Sequence, residues 1–157
     1  MNSERKDIAS KIIRASSDEI YQAIMDPQAL VSWLPPENMN AQIQQFEPWE
    51  GGSYQITLSY DHAEDREQFA KSSDGSDITE GKFLKLLPGK LVSQSVEFAS
   101  DKPEFAGTMT MTYQLTDCND GTEVTIIAEN VPKGISPEDH IAGINSTLDN
   151  LAHYLES

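Results

Sequence analysis

Few residues of this chain are of the types that make and break bonds, and their spacing builds none of the local motifs that would use them. Cys118 is the lone cysteine, has no basic neighbour in sequence to activate it, and falls at the end of a hairpin pattern, which argues against a nucleophile. The three histidines, His62, His140 and His153, form no H-E-x-x-H pattern and no C-x-x-C accompanies them, so no metal and no other cofactor is expected. Gly51-Gly52 runs into a strand pattern with no Lys-Ser/Thr behind it, which excludes a phosphate loop and leaves a turn. No G-x-S-x-G elbow is present, although a Ser-His-Asp set assembled in space stays open. What remains is acid–base work on a bound molecule by a carboxylate or phenol inside an enclosure, with Glu97, Tyr54, Tyr60 and Tyr113 as candidates. Their plain readings are a surface carboxylate and core aromatics.

Elements must hold these side chains, and the hydropathy pattern supplies them. Asp7 to Ala15, with Ile8, Ile12 and Ile13, reads as a first strand. Ser16 or Ser17 then caps a short helix carrying Ile20, Ala23 and Ile24, which Asp26-Pro27 breaks; a second short helix from Pro27 to about Leu34 carries Leu30, Val31 and Trp33. Beyond Ala41 the period changes to two. Strands are expected over Ala41 to Phe46, Ser53 to Tyr60, Thr79 to Leu87, Leu91 to Phe98, Phe105 to Leu115 and Glu123 to Glu129, with Asn119-Asp120-Gly121 as the last hairpin turn. The acidic stretch Asp61 to Asp77 is longer than a hairpin needs and reads as a surface insertion or a flap.

Ser136 to Ser157 reads as a long amphipathic helix: Ser136 as N-cap, Pro137 at the first position, Asp139 as the acidic partner of the cap. Ile141, Ile144, Leu148, Leu151, Ala152 and Leu155 form its apolar stripe. At roughly 30 Å such a helix spans a small domain, so its partner is a sheet. The expected fold is α+β: a curved antiparallel sheet of about six to seven strands, two short helices, and the C-terminal helix packed across the sheet, as a single domain over residues 1–157. Trp33, Trp49, Tyr54, Ile56, Met109, Met111, Tyr113, Ile141, Ile144, Leu148 and Leu151 are then expected to face the space between sheet and helix and to contact any ligand there; a filled core would have the same composition.

Composition narrows the partners. With 38% hydrophobic and 24% charged residues the chain has the make-up of an ordinary globular protein. A formal charge of −15 repels phosphate backbones and anionic bilayers, so neither nucleic acid nor membrane insertion is expected. Met1 to Arg14 lacks the layout of a secretory signal, and a cytoplasmic location is expected. A monomer or a homodimer fits equally.

In their order and spacing, Ala15 to Tyr21, Asp26-Pro27 with Leu30 to Trp33, Phe46 to Tyr54, Glu80-Gly81-Lys82, Leu86 to Leu91, Gly121 to Val124, and Gly143 with Leu148 and Leu151 resemble a known superfamily. This is the helix-grip (SRPBCC) superfamily of START lipid-transfer and birch-pollen-allergen proteins. The chain is most similar to the branch homologous to the C-terminal domain of the activator of the heat-shock chaperone ATPase. The resemblance implies a hydrophobic pocket between helix and sheet, in a superfamily whose members bind lipids, sterols or polyketides and include a few enzymes. Two places depart from the family pattern: Ile144 stands where a Trp often follows the helix glycine, and Trp33-Leu34-Pro35-Pro36 replaces a Trp-to-Gly-Pro pattern. Both alter the lining, so no ligand carries over. The leading expectation is non-enzymatic binding of a small hydrophobic or aromatic molecule. A cyclase- or aromatase-like enzyme and a chaperone-associated interaction module are the alternatives.

Overall fold

Period-two alternation and well-placed caps give this chain its elements. A computed structural model describes residues 6–35, 39–60, 76–98 and 107–156. The elements are β1 (Lys6–Ile13), α1 (Ser17–Met25), α2 (Pro27–Trp33), β2 (Met39–Phe46), β3 (Ser53–Tyr60), β4 (Ser76–Leu87), β5 (Leu91–Phe98), β6 (Met109–Cys118), β7 (Gly121–Glu129) and α3 (Pro137–Glu156). The insertion read over Asp61 to Asp77 lies almost wholly outside the described residues, as do Phe105 and the side chain of Tyr60.

The described strands form one seven-stranded antiparallel sheet in the order β1-β7-β6-β5-β4-β3-β2, so the fold is α+β. β1 and β2 are the edges, and the helical pair between them in sequence carries the chain from one edge to the other. Irregular pairing at Ile43/Gln45 and at Phe83/Lys85 puts a bulge in β2 and in β4, and bulges bend and twist a sheet. The bent sheet leaves an inner face that α3 crosses.

Capping fixes where the helices start. Ser16 and Glu19 form a reciprocal capping box on α1, and Asp26 both ends α1 and accepts from the Gln28 amide to cap α2. Ser136 Oγ accepts from the Asp139 amide at the start of α3. From there Ile144, Leu148, Leu151 and Ala152 are buried against the sheet and the two short helices.

β1 differs from its reading. It stops at Ile13, and its inward side chains begin with Asp7, so Ile8 and Ile12 are turned outward and are about half exposed (48% and 49%). Period two sets this: Ile13 faces the core, and counting back by two residues reaches Asp7.

Candidate functional site

Between the inner face of the sheet and α3 lies a cavity of about 380 Å³, within the range of small-molecule sites. Each wall follows from a strand's alternation. β6 contributes Met109, Met111 and Tyr113, β3 contributes Tyr54, Ile56 and Leu58, and β5 contributes Gln94, Val96 and Phe98. Phe46 and Phe83 close one side edge to face, with ring centroids 5.4 Å apart, and the Tyr54 ring is tilted against Phe83 at the same separation. Ile24, Leu30 and Leu34 seal the helical side, while His140, Gly143, Ile144 and Thr147 of α3 form the roof. Gly143 is also exposed to solvent, and a Cβ built on it would meet nothing within 4 Å.

Besides Thr79 and Thr147, the polar side chains on these walls fall into two sets. In one set the Tyr54 hydroxyl donates to the Ser95 carbonyl at 2.6 Å and receives a longer bond from Gln94 Nε2 at 3.4 Å. Tyr54 pairs with Gly81 in the sheet, and a side chain at Gly81 would collide with that Ser95 carbonyl oxygen. Glycine here allows the phenol of β3 to reach past β4 to β5. Tyr113 is buried beside it, and among the described residues its hydroxyl has no hydrogen-bond partner. Among the described residues no fully occluded side-chain polar atom is left unsatisfied, so this hydroxyl meets the cavity. Burial pushes the Tyr113 phenol up to about 12, and burial, followed by the neighbouring Tyr113, raises Tyr54 as well. Both phenols are therefore neutral hydrogen-bonding groups at ordinary pH.

In the other set His140 Nδ1 lies 2.7 Å from Asp7 Oδ2, with Asp7 only 2% exposed and itself off the lining. A buried carboxylate needs such a partner. Sequence reasoning gives Asp7 no role and weighs His140 only as a metal ligand. The signal was present all the same: Asp7 shares Ile13's face of β1, and His140 stands one turn before Ile144 on the inward stripe of α3.

Of the side chains expected around a ligand, Tyr54, Ile56, Met109, Met111, Tyr113 and Ile144 line the cavity. The others lie elsewhere. Trp33 is packed in the core, where its indole Nε1 donates to the Ala23 carbonyl at 2.9 Å; Trp49 sits in the turn before β3 and is 57% exposed. Leu148 and Leu151 are fully buried farther along α3 and Ile141 is half-buried, all three off the lining. Glu97 is also corrected. Alternation turns Val96 and Phe98 inward and Glu97 outward, where it accepts from Thr108 Oγ1 at 2.7 Å.

Residues 14–156 match the family described as Activator of Hsp90 ATPase homolog 1-like protein. The chain belongs to that family. Its helix-grip architecture recurs in solved structures. A protein of Chromobacterium violaceum is 25% identical, with 97% of each chain covered and a TM-score of 0.83. A protein of Rhodobacter sphaeroides is 16% identical, with 96% of this chain and 91% of that one covered and a TM-score of 0.77. An AHSA1-like protein of Aeromonas hydrophila is 16% identical, with 97% and 92% covered and a TM-score of 0.73. No curated protein matches the chain at a significant level. For this family member no described helix is long and apolar enough to cross a membrane, and no group of three or more metal-ligating side chains gathers among the described residues.

Proposed function

We propose that this family member binds a small, uncharged, largely hydrophobic or aromatic molecule in the cavity between its sheet and α3. The observation that carries this reading is the Tyr113 hydroxyl, a polar group on a mainly apolar wall with no protein partner among the described residues. Specific small-molecule sites combine a broad apolar surface with a few placed polar groups, and this wall has that make-up. Water filling the same space would find few partners along its methionine, isoleucine and phenylalanine sides, so displacing it is favourable. No lysine or arginine lines the cavity among the described residues, which disfavours a buried phosphate or carboxylate. Met109 and Met111 give the wall an adaptable surface for rings or chains of differing shape.

Native mass spectrometry of freshly purified protein tests this. The expected result is a population heavier than the bare chain, whose excess mass is released into organic solvent. A bare chain throughout, together with no saturable binding across a broad panel of neutral lipids and aromatics, would end the reading.

A further inference from the structure

The two edges of the sheet are guarded differently. β2 carries a bulge at Ile43/Gln45, one of the devices that keep an edge from pairing further. β1 has neither bulge nor proline: all eight of its residues pair with β7 in unbroken register, from Lys6–Glu129 to Ile13–Thr122. Its two lysines are answered within the chain, Lys11 by Asp149 at 3.3 Å and Lys6 by Glu129 directly across the ladder.

One peptide shows which backbone groups of β1 are left over. Ile13 turns its carbonyl toward β7, where it lies so close to Gly121 that a Cβ there would collide with the oxygen. The peptide is trans, so the Arg14 N–H points away from β7, and Glu156 Oε2 receives it at 2.9 Å. Alternation back along the strand then turns the amides and carbonyls of Asp7, Ala9, Lys11 and Ile13 to β7, and those of Lys6, Ile8, Ser10 and Ile12 to the open edge. Among the described residues these last four have no backbone partner. Their side chains lie on the outer face, with Ile8 and Ile12 about half exposed and Ile127 of β7 directly across from Ile8.

We propose that this edge is a self-association surface, where β1 pairs antiparallel with β1 of a second copy about a two-fold axis at Ser10. The outward row Ile8-Ser10-Ile12 reads the same in both directions, as an isologous contact requires. In this register Ser10 faces Ser10, and each Ile8 faces Ile12 of the other copy, so four isoleucines close into one apolar row. Moving the axis by one residue either way sets every isoleucine against Ser10, Lys6 or Arg14 instead. Charge fits as well. Lys6 falls opposite Arg14 of the other copy, the place where the Glu156 carboxylate covers the edge, and symmetry makes two such lysine–carboxylate pairs. The formal charge of −15 on each copy opposes approach from afar, but at physiological salt such fields fade over about 8 Å and the groups at the edge decide. One strand pair is small beside the roughly 1,200–2,000 Å² of stable interfaces, so the dimer is weak and reversible.

Sedimentation equilibrium of the full chain at physiological salt, from about 10 µM to about 1 mM, tests this. The wild type is expected to pass from monomer to dimer within that range. Ser10→Pro removes the N–H on the axis, at a position where an edge strand accommodates proline, and should raise the dimer dissociation constant at least about tenfold with the far-UV circular dichroism unchanged. Ile8→Lys, at an already exposed position, should weaken the dimer likewise and keeps the test valid if proline disturbs β1. In a Cys118→Ser background, Ser10→Cys is expected to cross-link under mild oxidation, because hydrogen-bonded antiparallel partners have Cα atoms about 5.5 Å apart, a spacing that suits a disulfide. Thr125→Cys, one strand farther in, should not. A wild type still monomeric at about 1 mM, a dimer indifferent to both Ser10→Pro and Ile8→Lys, or cross-linking at Thr125 rather than Ser10 would overturn the proposal.

Discussion

His140, on the first turn of α3, is bonded to Asp7 on β1 at 2.7 Å across 133 residues of sequence. The bond ties an edge strand to the roof of the cavity. A second, solvent-exposed tie lies farther along the same two elements, between Lys11 Nζ and Asp149 at 3.3 Å. The two differ in burial, and their contributions should differ accordingly. Asp7→Ala is expected to cost about 1.5–3 kcal/mol, because it removes a charged partner from a mostly buried bond. Lys11→Ala should cost about 0–1 kcal/mol. Urea unfolding of both variants at equal slope checks the ranking, and equal losses would contradict it.

Gly81 is where the sheet makes room for the Tyr54 anchor. Gly81→Ala would push a methyl group into the Ser95 carbonyl that receives the Tyr54 hydroxyl. The expected loss is about 1–3 kcal/mol, with the Tyr54 ring displaced. A crystal structure or aromatic NMR shifts of the variant would show the displacement. An unmoved Tyr54 with unchanged stability would show that the sheet absorbs the methyl group.

The phenols make stability fall at high pH. Below about pH 10 both are protonated in folded and unfolded chains, and their contribution does not change with pH. Above it the unfolded chain loses protons that the folded chain keeps, so stability declines, and Tyr113 contributes to the decline until its folded value of about 12 is passed. Each tyrosine adds at most about 1.4 kcal/mol per pH unit to the slope. Tyr113→Phe should flatten the decline by about one such share. Chemical denaturation at several alkaline pH values measures it; an unchanged slope would mean that Tyr113 ionises freely.

The two tryptophans separate core from surface. Trp33 is 2% exposed and hydrogen-bonded through its indole, whereas Trp49 is 57% exposed. Trp33→Ala should cost about 3–5 kcal/mol and Trp49→Ala no more than about 0.5 kcal/mol. Thermal melts and the blue-shifted share of tryptophan emission report both.

The contrast between the tryptophans also marks what could be read from sequence. Strict alternation in β6 places Met109, Met111 and Tyr113 on one face without any structure, and the stripe of α3 places Ile144, Leu148 and Leu151 on another. Sharing a face is not the same as lining a cavity. Ile144 lines the gap, whereas Leu148 and Leu151, fully buried farther along the helix, do not, a difference that one-dimensional patterns do not carry. Trp49 misleads through its residue type: the apolar ring sits in a turn, where alternation has no hold. The Asp7–His140 bond depends on which turn of a helix passes over which residue of a distant strand. The clue in sequence was an acidic residue in phase with the core-facing Ile13.

The central claim is that a ligand lies against the Tyr113 wall under the roof that Gly143 lines. Fluorescence titration with N-phenyl-1-naphthylamine, a neutral apolar probe, tests it most directly in the wild type and in Gly143→Trp, whose added side chain would narrow the cavity at its roof without meeting a neighbour at Cβ. The account predicts saturable one-to-one binding by the wild type, and at least about tenfold weaker binding by the variant at undiminished thermal stability. Unsaturable binding by the wild type, or equal affinity in the two proteins, would contradict it.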